Sequence, residues 1–196
     1  MSTKILGGLK EGLVFVISAP AGTGKTTLVR MLQKEFPCIV ESISYTTRKP
    51  RYSEQPGVDY FFVSEEEFDQ KLKEGEFLEY ATVFNHFYGT SKLFVESQQR
   101  LGKHVILVID TQGALQLKGR YDATFIFISP PSIEELRLRL YGRKTETDQA
   151  IEHRLSWAEK EMALANHYDY HIINEDLHTA YAVLRSIIIA EEHRNR

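Results

Sequence analysis

The sequence is poor in cysteine, in long apolar runs and in excess basic charge, and each shortage excludes a class of protein. Cys38 is the only cysteine, so an internal disulfide is impossible and a reducing compartment is indicated. The apolar run 13–17 is far too short to cross a bilayer, and we find no signal peptide. A net charge of -3 and a pI of about 6.2 argue against a nucleic-acid binder. We therefore expect a cytoplasmic protein that binds neither nucleic acid nor membrane.

What the sequence does contain is the alternation of strands and helices found in one α/β domain. Residues 13–17 are apolar at every position, as in a parallel strand that is buried on both faces. The same pattern recurs at residues 104–109, 124–128 and 171–173. Between these strands lie helical patterns; in 25–36, for example, Leu28 and Leu32 share one face and Pro37 ends the helix. The alternation predicts a parallel sheet with helices on both faces.

The middle of the chain departs from this alternation. Short aromatic-rich strands are predicted at 59–63 and 76–83, on either side of a helix that a capping box opens at Ser64. A second capping box, at Ser132, opens a helix that leads to a polar loop at 143–147. We therefore expect a core of roughly residues 10–40, 94–131 and 155–196, an insert at 41–93 and a lid at 132–154.

A phosphate-loop signature, G-x-x-x-x-G-K-[ST], lies between the first strand and the first helix, with Ala19 in the first glycine position. Gly22 and Gly24 allow backbone N–H groups to turn towards phosphate oxygens, and the following helix adds its positive dipole end. Lys25 is expected to reach the β- and γ-phosphates of ATP, and the Thr26 hydroxyl to hold Mg²⁺. A chance match is the alternative, but the strand before and the helix after provide the required context. The predicted ATP-binding residues here are Ala19, Pro20, Ala21, Gly22, Thr23, Gly24, Lys25, Thr26 and Thr27.

A basic stretch lies between the first predicted helix and the predicted strand at 59–63, and it reads Ser44-Tyr45-Thr46-Thr47-Arg48-Lys49-Pro50-Arg51. On its own it is more typical of a solvated surface. Further motifs follow it, namely Gly57-Val58-Asp59-Tyr60-Phe61-Phe62-Val63, Glu79-Tyr80-Ala81 and Phe87-Tyr88-Gly89-Thr90. From the phosphate loop to Asn174 the pattern resembles the guanylate kinase family, whose members convert ATP and GMP to ADP and GDP. The Ser-x-Thr-Thr-Arg-x-Pro-Arg stretch is its most specific part.

The resemblance implies a site for the acceptor nucleotide. The family positions that hold the GMP phosphate correspond to Arg48, Arg51, Tyr60 and Tyr88. Arginine forks and phenol hydroxyls are suitable donors for a phosphate. The positions that bind guanine correspond to Ser44, Glu79 and Thr90. One carboxylate can accept the adjacent N1–H and N2–H₂ donors of guanine, a pair that adenine lacks. The alternatives are an exposed strand-edge glutamate for Glu79 and core aromatics for the two tyrosines.

The resemblance also implies a lid that carries arginines. Arg139, Arg143 and Arg154 match the arginines that surround the ATP phosphates and the transferring group, and with Lys25 and Arg48 they form the expected catalytic set. Arg139 and Arg143 share a helix face, where like charges cost stability unless an anion joins them. Unused surface arginines are the alternative. Lys144 stands where the family has glycine.

Two further positions concern the nucleotides and the metal. Asn174 matches a position near the adenine ring, although a turn asparagine is the alternative. The family usually has two acids before a Gln-Gly turn; here Val108 replaces the first and Asp110 keeps the second. We expect Asp110 to face GMP and, through water, Mg²⁺, or instead to cap the turn at Gln112.

The expected activity is direct in-line transfer from ATP to GMP, and by extension dGMP, with Mg²⁺ as cofactor and no covalent intermediate. A guanylate-kinase-like interaction module is one alternative, and the intact Gly24-Lys25-Thr26 argues against it. A kinase for another acceptor, such as AMP or dTMP, is opposed only by the set of Ser44, Glu79 and Thr90. The sequence does not indicate an oligomeric state.

Overall fold

The computed structural model describes residues 5–52, 54–142 and 147–195, and the predictions for Arg143 and Lys144 lie outside these ranges. No helix in the described ranges is long and apolar enough to span a membrane. The strands are β1 (Val14–Ser18), β2 (Ile39–Ser42), β3 (Tyr45–Thr46), β4 (Phe61–Phe62), β5 (Phe77–Val83), β6 (His86–Ser91), β7 (His104–Val108), β8 (Thr124–Ser129) and β9 (Tyr170–Ile173). The helices are α1 (Lys25–Glu35), α2 (Glu65–Lys73), α3 (Lys92–Arg100), α4 (Thr111–Leu117), α5 (Ile133–Gly142), α6 (Asp148–Met162) and α7 (Leu177–Glu192).

The main sheet is parallel, with the strand order β2-β7-β1-β8-β9. Every residue of β1 and β8 is buried, because helices cover both faces of the sheet. On one face Leu28 and Leu32 of α1 pack with Leu184 and Ile188 of α7. The opposite face packs against α3 and α4. The predicted α/β fold class is confirmed, and the carboxyl ends of β1, β2 and β7 meet at one edge of the sheet.

A second sheet, in the order β4-β3-β6-β5, lies beyond that edge. It packs on α2, where Phe68 stacks on Phe77 at 4.6 Å and on Phe87 at 5.4 Å between ring centroids. The capping box at Ser64 is present, with both of its reciprocal hydrogen bonds. The strand expected at 59–63 is shortened to Phe61–Phe62, and residues 41–42 belong to β2 of the main sheet.

Helices α5 and α6 form a third apolar cluster beside the phosphate loop. Leu136 and Leu140 of α5 pack on Ile151 and Leu155 of α6. A Cβ atom added at Gly22 would lie 2.9 Å from the Leu140 side chain, so a residue larger than glycine would force that side chain to move. Packing therefore fixes α5 directly against the phosphate loop.

The turn between β5 and β6 reaches α6 from the second sheet. Phe84 and Asn85 have positive φ values of 49° and 62°, a conformation that is unusual for a bulky side chain such as phenylalanine. The Phe84 ring lies 5.4 Å from His153 and 5.8 Å from Trp157, centroid to centroid. The second sheet and α6 thus meet across the edge of the main sheet.

Candidate active site

The phosphate loop ends at an α1 N-terminus that has no side-chain cap. Gly24 is the N-cap residue, with φ 93°, and no acidic residue lies in the first turn of α1. The first N–H groups of a helix have no partner within it, so an uncapped N-terminus with its positive dipole end is suited to an anion. Thr26 and Thr27 are exposed at this end of the helix. The geometry is that of a phosphate-binding site.

Lys25 lies near one buried carboxylate, Glu161, and two partly buried ones, Asp110 and Glu41. Its Nζ donates to the Ala19 carbonyl at 2.8 Å. Burial lowers the pKa of Lys25, and the charges of Glu161, Asp110 and Glu41 oppose that shift. Burial in turn raises the pKa of Glu161 to about 7. An ammonium that is already desolvated interacts strongly with an arriving phosphate, because the effective dielectric constant around it is low.

Asn174 and Arg139 fasten the phosphate loop to the end of β9. The Asn174 side chain, 4% exposed, donates from Nδ2 to the Thr23 carbonyl at 2.6 Å. Arg139 donates from Nη1 to the Asn174 carbonyl at 3.0 Å and from Nε to Glu135 at 3.0 Å. Asn174 therefore does more than close a turn, since it supports the loop over 151 residues of sequence separation.

The basic stretch folds into a network centred on Arg48. Its guanidinium binds both carboxylate oxygens of Glu54, at 2.9 and 3.0 Å, and its Nε donates to the Tyr88 hydroxyl at 3.1 Å. The guanidinium also lies 5.4 Å from the centroid of the Tyr60 ring. Burial lowers the pKa of Arg48, but the hydrogen bonds to Glu54 and Tyr88 outweigh it and raise the pKa above its ordinary value. Arg51 is more exposed, with its Nη1 3.8 Å from Glu54.

A pair of carboxylates, the buried Glu79 and the partly buried Asp110, lies where β5 meets α4. Glu79 is 5% exposed, and its Oε1 accepts from the Thr90 hydroxyl at 2.5 Å. Burial raises the pKa of Glu79 to about 7, and the negative charge of Asp110 adds to the shift. A Cβ atom added at Gly113 would lie 2.1 Å from Glu79 Oε2, so only glycine leaves room for the carboxylate. Asp110 accepts from the Gly113 N–H at 2.9 Å and thereby caps α4.

One cavity of about 540 Å³ connects the phosphate loop with the basic stretch. Thr26 of α1 and Val108 of β7 line one side of it. The other side is lined by Ser44, Arg51 and Tyr60. Residues separated by up to 82 positions in the sequence thus face one volume that could hold a phosphate group.

Comparison with known proteins agrees with this geometry. A sequence profile of the family described as guanylate kinase matches residues 12–191. The chain is 58% identical to guanylate kinase of Protochlamydia amoebophila (strain UWE25) over 97% of both chains. It is 50% identical to that of Chlamydia trachomatis serovar D, over 99% of this chain and 98% of the other. A crystal structure of guanylate kinase from Anaplasma phagocytophilum is 36% identical and superposes with a TM-score of 0.78, covering 94% of this chain and 88% of that one.

The chain belongs to the guanylate kinase family. The matched residues, 12–191, include both sides of the cavity and the buried Glu79. The predicted set separates into clusters in the structure. Lys25, Thr26, Arg139 and Asn174 surround the phosphate loop, whereas Arg48, Arg51, Tyr60 and Tyr88 form the basic network.

The remaining predicted residues are placed as follows. Ser44 lines the cavity, and the buried Glu79 and Thr90 lie beside α4, together with the partly buried Asp110. Asp110 shows the predicted capping alternative, and it also lies within electrostatic range of Lys25 and Glu79. Arg154 lies partly buried on α6.

Sequence reasoning missed two residues that hold the candidate site in place. Glu54 holds Arg48 in place, and Gly113 makes room for Glu79. An acid six residues after an arginine has no regular spacing that would indicate pairing. Gly113 belongs to the Gln-Gly turn, but its contact with Glu79 joins two elements 34 residues apart, which no local pattern indicates.

The donor set at the phosphate loop fits a magnesium ion that is held chiefly by its nucleotide. No group of three or more His, Cys, Asp or Glu in the described ranges could hold a metal ion. Mg²⁺ commonly takes one or two protein oxygens, with phosphate oxygens and water in its remaining positions. The exposed Thr26 hydroxyl and the Asp110 carboxylate supply oxygen donors of the required chemistry.

Proposed function

We propose that the chain transfers the terminal phosphoryl group of ATP to GMP, directly and in line, across the cavity between the phosphate loop and the basic network. ATP:GMP phosphotransfer is the activity of the family to which the chain belongs. The observation that carries the assignment of roles is the shared cavity, in which Thr26 lies opposite Arg51 and Tyr60. A donor phosphate at α1 and an acceptor phosphate at the arginines would face each other there.

The acceptor half is assigned by charge and by hydrogen-bonding pattern. Arg48, Arg51, Tyr60 and Tyr88 offer guanidinium and phenol donors for the GMP phosphate. Glu79, with Thr90 beside it, offers a carboxylate for N1–H and N2–H₂ of guanine. Ser44 and Asp110 complete the nucleotide's surroundings. The same contacts would accept dGMP, since none of them requires the ribose 2′-hydroxyl.

The donor half neutralises charge and requires no nucleophilic side chain. The uncapped N–H groups of α1 and the Lys25 ammonium bind the ATP phosphates, and Asn174 keeps the loop in shape. Arg139, Arg143 and Arg154 would approach from the lid. Mg²⁺, when bound, would neutralise the β- and γ-phosphate oxygens, with Thr26 holding it and Asp110 acting through water.

A coupled assay of ADP formation with each nucleoside monophosphate tests the assignment. We expect GMP and dGMP to support turnover and AMP, CMP and dTMP to support little. Preferred turnover with AMP or dTMP would identify a kinase for another acceptor. Tight GMP binding without ADP formation would instead identify an interaction module.

Arg51→Ala should weaken GMP binding more than ATP binding, because the guanidinium is placed on the acceptor phosphate. Loss of one charge-assisted contact at an exposed position predicts a severalfold to roughly tenfold rise in the Kd for GMP. Titration calorimetry with each nucleotide measures both effects. Lys49→Ala, the exposed neighbour, serves as the matched control. Equal losses for the two nucleotides would remove Arg51 from the acceptor side.

GMP binding should release a proton near neutral pH. Burial raises the pKa of Glu79 to about 7, so roughly half of the unliganded molecules carry a proton there at pH 7. Guanine requires the ionised carboxylate, so affinity for GMP should rise as the pH increases through about 7 and then level off. Calorimetry in two buffers of different ionisation enthalpy counts the released protons. In Glu79→Gln, the number of protons released on GMP binding should fall by the contribution of this carboxyl group. An unchanged number of released protons would exclude Glu79 from base binding.

A further inference from the structure

Glu41, near the carboxyl end of β2, faces the cavity beside Thr26. It lines the cavity together with Thr26, Arg30 and Val108. Among the residues that the structure describes, its carboxylate makes no hydrogen bond and no ion pair; Arg30 and Lys25 act on it only as nearby charges. Burial raises the pKa of Glu41, so an ionised carboxylate here costs free energy unless a cation or a donor joins it.

The sheet register relates Glu41 to Val108. Glu41 of β2 pairs with Ile106 of β7, so Val108 lies two residues further along the neighbouring strand on the same face. Strand spacing and rise place such diagonal Cα atoms roughly 8 Å apart. A glutamate side chain covers much of that distance. A carboxylate at position 41 and one at position 108 can therefore reach the same space.

That space lies next to the predicted phosphate and metal positions. An acid would repel a phosphate, and the nearest bases, Lys25 and Arg30, leave the Glu41 oxygens without a hydrogen bond. The Glu41 carboxylate needs hydrogen-bond donors and a positive charge. A hydrated divalent cation supplies both, because its water molecules donate hydrogen bonds and its charge offsets that of the carboxylate. The ribose hydroxyls of the acceptor are the competing donors.

We propose that Glu41 is a positioning residue that accepts hydrogen bonds from the water shell of the nucleotide-bound Mg²⁺, and so supplies from β2 the carboxylate that Val108 does not provide on β7. This inference rests on the Mg²⁺ of the proposed function. It adds a residue on a different strand to that site. Glu41 acts on the ion only through water, since Thr26 and the phosphates take the direct positions.

The test measures the binding of Mn²⁺, as a stand-in for Mg²⁺, to the protein with a non-hydrolysable ATP analogue, using the paramagnetic resonance signal of free Mn²⁺. Glu41→Gln keeps the shape and should raise the Mn²⁺ Kd about tenfold, the usual cost of losing an outer-sphere partner. The exchange variant, Glu41→Val with Val108→Glu, should recover most of the affinity. Asp59→Asn removes another acid that lines the cavity and should change the Kd far less.

Four outcomes would overturn the inference. One is an unchanged Mn²⁺ Kd in Glu41→Gln. Another is a loss of Mn²⁺ affinity in Asp59→Asn as large as that in Glu41→Gln, which would indicate that only the total negative charge of the cavity matters. The third is an exchange variant that is folded, as checked by thermal melting, but does not recover the Mn²⁺ affinity. A change in the GMP-to-dGMP ratio without a change in Mn²⁺ affinity assigns Glu41 to the ribose and equally overturns it. The wild-type acceptor preference, measured on the same preparation, tests the proposed function separately.

Discussion

Replacing Lys25 by methionine should remove nearly all phosphoryl transfer, by at least about a hundredfold in kcat, while the fold stays intact. The ammonium offsets charge that builds on the transferring and leaving oxygens, and methionine keeps the bulk without the charge. Because burial already lowers the pKa of Lys25, its removal relieves a desolvation cost. Turnover is measured by coupled assay, and the fold by circular dichroism and thermal melting.

Lys34→Met is the matched control for this experiment. Lys34 lies on the same helix, α1, but is exposed in its last turn and touches no part of the cavity. It should keep wild-type turnover. Near-normal activity in Lys25→Met would overturn the phosphate-loop assignment, whereas equal losses in both variants would indicate damage to α1.

Glu79→Gln should reduce kcat/KM for GMP about ten- to a hundredfold, because a charge-assisted hydrogen bond is worth about 1.5–3 kcal/mol. The amide NH₂ would replace an acceptor oxygen by a donor and leave a guanine N–H without its partner. A site built on buried polar pairing discriminates through such unsatisfied groups. Activity with AMP, low at the start, should fall less or rise slightly. The ratio of GMP to AMP turnover is therefore the quantity to measure.

A general folding defect would lower both activities together and leave this ratio unchanged. Glu76→Gln provides the control, since Glu76 lies just before β5 and its side chain forms an ion pair with Lys71 at the surface. If Glu79→Gln keeps the wild-type ratio, another residue selects guanine.

The fold could be predicted in its main sheet and less well in its second sheet. Strands β1, β7 and β8 are apolar at nearly every position because helices cover both faces, and that signal is local. The short strand β4 contains two residues, and its pairing with β3 depends on partners that are distant in sequence. The left-handed Phe84 could not be foreseen, because a bulky residue adopts this conformation only when tertiary contacts such as those with Trp157 hold it there.

The candidate site was predictable where a motif carries its own chemistry. The glycines of the phosphate loop depend on local backbone geometry, and Lys25 donates a hydrogen bond to Ala19 only six residues before it, so the sequence alone indicates both features. The contacts that hold these residues in place could not be predicted in the same way. The bond from Asn174 to the Thr23 carbonyl and the fit of Gly113 against Glu79 depend on how separate elements pack. No spacing in the sequence encodes such contacts.

In the proposed acceptor pocket, the Arg48–Glu54 pair would make an incoming phosphate compete with a carboxylate for the Arg48 guanidinium. Glu54 is tethered six residues from Arg48 and occupies both of its terminal nitrogens, so every incoming anion competes with a permanently available carboxylate. Chloride or acetate offers a single charge and gains little by exchanging places with it. A nucleotide brings a doubly charged phosphate together with a base that binds elsewhere, and so recovers the cost of separating the pair. The pocket should therefore stay unoccupied in the salt of its surroundings, and its selectivity for a nucleotide begins before the base is recognised.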